Sequence, residues 1–199
     1  MLSFKHKFLF VHLPKTAGNS IQTILSPYSE DKIVCLNELQ DGVERFEIRN
    51  KFTVLRKHSA LIDYKDLLPQ DCYDNLFKFA TIRNPWDRMV SFFFSPHRQV
   101  DQWNKSEFIQ LVESVITLPE LLKIDDITPW HKSVDQIMKF ENLDTDFSTL
   151  CKKIGISDTS LPIRNKSNRY EYQRYYDDEL ISIVAKKFRD EIDFGQYQF

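Results

Sequence analysis

The sequence predicts an α/β protein with a parallel central sheet, on three observations. Short apolar segments alternate with amphipathic helical ones along the whole chain, the pattern of strands joined by crossover helices. The segment "LFKFATI" (76–82) is a nearly continuous apolar run, as a strand covered on both faces requires. The helix signals also fall directly after strand-like runs, with Asn84-Pro85 supplying an N-cap and a first-turn proline.

In chain order, "FLFVHL" (8–13) reads as the first strand, and a short helix from Ser20 to Leu25 ends with the help of Pro27. "FTVL" (52–55) is a second strand candidate. Leu61, Tyr64 and Leu68 then share a helical face that Pro69 closes. After the strand at 76–82, "WDRMVSFFF" continues the helix that Asn84 opens. Asn104 and Glu107 form a capping-box pattern ahead of Phe108, Leu111, Val112, Val115 and Ile116. "QIMKF" (136–140) is another strand, and Phe147, Leu150, Cys151 and Ile154 line a helix that stops at Gly155. A final helix starts at Asp177, Asp178 and Glu179 and carries Lys186, Lys187 and Arg189 in its last turns, as the helix dipole favours. There are no repeats, low-complexity tracts or linkers, so residues 1–199 are expected to form one domain.

Composition narrows the function. The net charge of −2 argues against a general nucleic-acid or membrane-surface binder. Cys35, Cys72 and Cys151 are odd in number, far apart and without a CxxC pair. They read as buried, reduced thiols of a reducing compartment. Lys5 and Lys7 before an apolar stretch faintly echo a signal peptide, but the stretch is too short and runs straight into a lysine turn.

Ligands of such sheets bind where strands lead into helices, which singles out "PKTAGNS" (14–20) and "RNPWDRMVS" (83–91). In the first, the backbone N–H groups of residues 16–20 converge at a helix start, an arrangement that favours an anion. Its lysine precedes the glycine, the reverse of the nucleotide loop of kinases and ATPases. A plain tight turn with an exposed lysine would read the same way. In the second, Arg83 ends a buried strand and needs a partner. Asn84, Arg88 and Ser91 recur at helical spacing, so a guanidinium and a hydroxyl share a face suited to a phosphate monoester. A capped helix with Arg88 in a surface ion pair is the alternative. Two loops of this kind point to a ligand with two separated anionic groups.

Together the two loops resemble those of sulfotransferases that use 3′-phosphoadenosine 5′-phosphosulfate (PAPS). "PKTAGNS" is similar to their 5′-phosphosulfate loop, and "RNPWDRMVS" to their 3′-phosphate motif. "KHSALIDYKDLL", "KFENLDTDF" and "NKSNRYEYQRYY" resemble the carbohydrate-sulfotransferase branch in the same order. The likeness runs from about residue 8 to the C-terminus. It departs at Asn19, where the family usually has threonine. The resemblance implies a three-layer sandwich around a parallel sheet, a donor bound without metal, and a cradle formed by Lys15, Thr16, Ala17, Gly18, Asn19 and Ser20. It further implies Lys15 at the oxygen that leaves sulfur, and Arg83 and Ser91 on the 3′-phosphate. A hydroxyl acceptor also needs a base. His58 follows an apolar strand at the start of a helix and matches the base histidine of related carbohydrate sulfotransferases. Glu141, at a strand end, is the reserve, with a structural carboxylate as its other reading. His12 reads as structural, while His6, His97 and His131 lack motif context.

The resemblance implies that the basic, tyrosine-rich segment 163–176 closes over the nucleotide with Lys166, Ser167 and Arg169 as donor contacts, its tyrosines being equally core or acceptor-site residues. Basic residues among aromatics also suit nucleic acid. The resemblance suggests a saccharide acceptor, although a lipid, small metabolite or tyrosine would leave the same donor motifs. Two other classes stay open: a phosphotransferase with an atypical phosphate loop, and a non-catalytic nucleotide-binding module. Eukaryotic carbohydrate sulfotransferases are typically held in the Golgi by an N-terminal membrane segment. With the donor loop starting at residue 14, the expectation is a cytoplasmic enzyme of bacterial type.

Overall fold

The computed structural model describes residues 1–34, 45–48, 55–157, 160–162 and 169–199. In its first half lie β1 (Leu2–Ser3), β2 (Phe8–Val11), α1 (Gly18–Leu25), β3 (Asp31–Val34), β4 (Arg45–Ile48), β5 (Leu55–Arg56), α2 (Leu61–Leu67), α3 (Gln70–Asp74) and β6 (Phe77–Ile82). There follow α4 (Pro85–Phe93), α5 (Lys105–Ser114), α6 (Leu118–Leu122), β7 (Gln136–Lys139), α7 (Leu143–Lys153), α8 (Asp178–Lys187) and α9 (Arg189–Gly195).

The main sheet has the order β1-β2-β6-β7. Strands β2, β6 and β7 are parallel, in a register that pairs Phe10 with Phe79 and Ala80 with Ile137. Only the edge strand β1 runs antiparallel. Alternation along each strand sends neighbouring side chains to opposite faces. Leu9, Val11, Ala80 and Ile82 pack with Leu61 and Tyr64 of α2 and Leu118 and Leu121 of α6. Phe8, Phe10, Phe79 and Met138 pack with Ile21, Ile24 and Leu25 of α1 and Phe147 and Leu150 of α7. Both faces are therefore covered, which is the predicted three-layer arrangement. Each large side chain so buried contributes roughly 1.5–3 kcal/mol. A third apolar cluster joins α4, α5 and α8.

The predicted boundaries hold with specific exceptions. A second sheet, β3-β4-β5, is antiparallel and was not expected. Of "FTVL", residues 52–54 lie outside the described residues, and Leu55 pairs with Phe46 in this second sheet rather than in the parallel one. Helix α5 stops at Ser114 because Val115 turns extended, which lets Thr117 cap α6. Phe140 starts a short 3-10 turn instead of extending β7. The final helix is broken at Phe188, whose backbone leaves helical geometry while its ring stays buried. Arg189 thus opens α9 rather than closing α8. Cys151 is buried and Cys72 half-buried, both as free thiols; Cys35 lies outside the described residues. No helix among the described residues is long and apolar enough to cross a membrane.

Candidate active site

The parallel strands β2, β6 and β7 end at the same edge of the sheet, so His12, Arg83 and Glu141 start their loops side by side. After β2 the chain bends sharply: Lys15 and Ala17 both take left-handed backbone conformations, with φ of 68° and 65°. Such conformations are uncommon outside glycine and are kept where the surroundings enforce them. Here Thr16 supplies the enforcement. Its side chain is fully buried, donates to the Leu13 carbonyl at 2.8 Å and meets the Thr81 hydroxyl at 2.5 Å. Helix α1 then begins with no side-chain cap among the described residues and no acidic residue in its first turn. An uncapped helix start behind two left-handed residues suits an anion.

Gly18 is required by space, since its own φ is not positive. A Cβ there would lie 1.9 Å from His12 Nε2 and 2.0 Å from its Cδ2. His12 is buried beneath the start of α1, and its Nδ1 has no hydrogen-bond partner among the described residues. Burial, reinforced by the charges of His58 and Lys57 and more weakly by Lys15, holds this imidazole neutral, well below the usual histidine range. The structural reading of His12 fits this placement.

His58 reaches the loop from the second sheet, which corrects the expectation that it follows a strand of the parallel one. It sits in the turn after β5, closed by Ser59 N–H on the Arg56 carbonyl at 3.1 Å. His58 Nδ1 lies 2.9 Å from the His12 carbonyl, and the two rings are 4.6 Å apart. A carbonyl only accepts, so the proton sits on Nδ1 and Nε2 is the basic nitrogen. In the same turn, Lys57 Nζ donates to Asn19 Oδ1 at 2.5 Å.

The second loop divides its residues between two jobs. Asn84 caps α4, accepting from Trp86 N–H at 3.0 Å. Arg83 is buried at the strand end, stacked on the Phe140 ring at 3.9 Å. Its Nε donates to Asp87 at 2.7 Å and its Nη1 to the Lys15 carbonyl at 3.0 Å, so it bridges both loops. Asp87 also binds Arg169. Ser91 is buried one turn beyond. Arg88 does not share this site. It turns into the core, 3.6 Å from Glu191 and over the Phe188 ring, so its guanidinium is committed to a buried pair, which corrects both the expected phosphate-facing guanidinium and the surface ion pair. Glu141 is also committed, accepting from Asn84 N–H at 2.7 Å and Tyr197 O–H at 3.0 Å.

Of the basic C-terminal segment, Arg169 is brought to Asp87, while Lys166 and Ser167 lie outside the described residues. Its tyrosines separate: Tyr175 and Tyr176 pack against Phe94, Trp103 and Phe108, and Tyr170 is exposed. His6 meets the edge of Tyr28, and His131 lies by Trp130 and Phe194, both unconnected to the loop residues by any described contact. The side chain of His97 is outside the described residues.

Two participants escaped the sequence reading. Asp87 stands four residues after Arg83, the spacing of a helical ion pair, and that signal was legible. Lys57 stands beside His58 but has no local signal of its own.

No curated protein and no solved structure matches the chain. A model described as the sulfotransferase family matches residues 1–198. The chain belongs to that family, as a PAPS-dependent sulfotransferase related to the carbohydrate sulfotransferases.

Proposed function

We propose that the protein transfers the sulfuryl group of PAPS to a saccharide hydroxyl, with Lys15 at the departing oxygen and His58 as the base. PAPS supplies an activated sulfuryl group between its 5′-phosphate and the acceptor. The acceptor oxygen forms its bond to sulfur as the sulfur–oxygen bond to the phosphate breaks. The acceptor proton passes to His58 Nε2, and the electron pair of the broken bond stays on the bisphosphate product. Negative charge grows on that bridging oxygen, so a cation there lowers the barrier. Lys15 opens the cradle formed by residues 16–20, and Arg83 and Ser91 hold the 3′-phosphate, aided by Arg169.

The observation that carries this reading is the hydrogen bond from His58 to the His12 carbonyl. It sets a histidine with a defined tautomer directly against the anion loop, although β5 belongs to another sheet. A phosphotransferase or a passive nucleotide module gives no reason for that juxtaposition. The saccharide acceptor rests on the likeness of "KHSALIDYKDLL" and "KFENLDTDF" to the carbohydrate branch.

The test is sulfuryl transfer from radiolabelled PAPS to a panel of glycans, lipids and small hydroxylated metabolites. Lys15→Ala should slow transfer to every acceptor and also slow background hydrolysis of PAPS. His58→Ala should leave donor binding intact and cut turnover by roughly a hundredfold to ten-thousandfold, the range for a lost general base. An acidic phenol, which gives up its proton easily, should partly rescue His58→Ala but not Lys15→Ala. Full turnover of His58→Ala on the best glycan acceptor would remove His58 from the mechanism. Labelling confined to lipids or metabolites would remove the saccharide.

A further inference from the structure

We propose that Lys57 is a second cation for the 5′-phosphosulfate end of the donor, aimed by Asn19. The inference rests on the PAPS-binding reading of the loop and adds to it a residue outside both nucleotide motifs. Lys57 and His58 form the middle of one tight turn. It is closed by Ser59 N–H on the Arg56 carbonyl at 3.1 Å and by Arg56 N–H on the Ser59 hydroxyl at 2.9 Å. Both central side chains reach the junction of β2 and α1, His58 to the His12 carbonyl and Lys57 to Asn19 Oδ1. One turn therefore delivers a base and an ammonium group to the same place.

The position of that ammonium is electrostatically unusual. Asn19 lies in the first turn of α1, where the helix dipole is positive and cations are disfavoured. Lys57 is also only 9% exposed, so its charge has lost much of its water. The His58 ring stands 4.6 Å from that of His12, whose carbonyl it engages, so the Lys57 turn is seated on the loop that carries Lys15. A buried ammonium held in the first turn of a helix, on the loop that carries Lys15, suits a site that receives an anion. The phosphosulfate end carries charge on both its phosphate and its sulfuryl oxygens, enough for two lysines.

Asn19 explains how Lys57 is held there. The family usually has threonine at this position, and a threonine hydroxyl sits on Cβ, one atom nearer the backbone than Asn Oδ1. Asparagine extends the acceptor towards the turn and meets Lys57 at 2.5 Å. The departure from the family pattern and the lysine beside the base are thus two halves of one device.

The experiment is calorimetric titration of the full chain with adenosine 3′,5′-bisphosphate and with adenosine 3′-monophosphate, which lacks the 5′ group. Lys57→Met should weaken the bisphosphate by roughly ten- to a hundredfold, the scale of a charged hydrogen bond, and leave the 3′-monophosphate unchanged. Asn19→Thr, a mild exchange that keeps the family's residue, should lower bisphosphate affinity in the same selective way. Combining it with Lys57→Met should add almost nothing, because coupled residues are not additive. Equal losses for both nucleotides would make Lys57 a purely structural residue, and unchanged affinities would remove it from the site. A wild type that binds neither nucleotide would overturn the donor reading itself.

Discussion

Arg88→Met offers the sharpest separation of structure from binding within "RNPWDRMVS". Arg88 is 2% exposed and Glu191 is completely buried, with 3.6 Å between Arg88 Nη2 and Glu191 Oε1. Glu191 Oε1 also accepts from Leu118 N–H at 2.7 Å, which ties α9 to the start of α6. Methionine keeps most of the arginine stem, so the change mainly removes the charge. Breaking a buried pair from one side costs about 3–5 kcal/mol. For a chain of this size that corresponds to a melting point lower by roughly 6–20 °C.

The loss should also depend on pH with a definite sign. Burial already pushes the Glu191 carboxyl above the usual glutamate range, and Arg88 opposes that push. Without Arg88 the carboxyl rises further. Between the unfolded value, about 4.3, and the native one, the folded protein binds a proton that the unfolded chain releases. Stability then falls as pH rises through that window, by at most about 1.4 kcal/mol per pH unit for one group. The gap between variant and wild type should therefore be widest at neutral and alkaline pH and narrow towards about pH 4. Urea unfolding followed by tryptophan fluorescence at several pH values measures this, with bisphosphate titration in parallel. Nucleotide affinity should survive in the folded variant. Unchanged stability together with lost affinity would return Arg88 to the 3′-phosphate site and refute the reasoning.

Arg83→Ala should weaken adenosine 3′,5′-bisphosphate by roughly 1.5–3 kcal/mol while affecting AMP much less, and calorimetry that finds equal losses would remove Arg83 from the 3′-phosphate. In the wild type, bisphosphate at a hundred times its dissociation constant should add about 2.7 kcal/mol of stability, and an equal thermal shift with AMP would contradict the two-anion site. Gly18→Ala drives a methyl group into the His12 ring and should cost about 1–3 kcal/mol as overpacking. Thermal denaturation should show part of that cost recovered when His12→Ala is added, and simple additivity of the two losses would mean the ring is not the obstacle.

The strand–helix alternation was legible because it depends on local signals. The 76–82 run, Asn84-Pro85 and the helix from Asn104 each carry their own pattern, and each stands within a residue or two of its expected place. The second sheet was not legible. Strands β4 and β5 have only four and two residues, too few to carry an alternation of their own. Helix α4 defeated the reading by faces for another reason. Trp86, Arg88, Met89, Val90, Ser91 and Phe93 are all buried, so the helix has no single inward stripe by which Arg88 could be sorted from Ser91. The partner that decides the matter, Glu191, lies more than a hundred residues later. His58 was found through the family pattern and not through geometry, since the strand before it belongs to the other sheet.

Three of the contacts that assemble the proposed site share a feature that bears on how its halves communicate. They engage carbonyl oxygens of the β2–α1 loop: His12 by His58, Leu13 by Thr16, and Lys15 by Arg83. A peptide unit is planar and trans, so its N–H points opposite to its C=O. Fixing the Lys15 carbonyl towards Arg83 therefore turns the Thr16 N–H to the other side, into the cradle proposed for the 5′-phosphate. On the proposed reading, Arg83 serves the 3′-phosphate with its charge, and its bond to the Lys15 carbonyl makes a smaller contribution at the 5′-phosphate by orienting one peptide. Asp87 steadies both ends of that arrangement, because it holds Arg83 and Arg169 on the same carboxylate. A loop with only one glycine can then keep two left-handed residues and still present its amides, since the strain at Lys15 and Ala17 is balanced by hydrogen bonds on the opposite face.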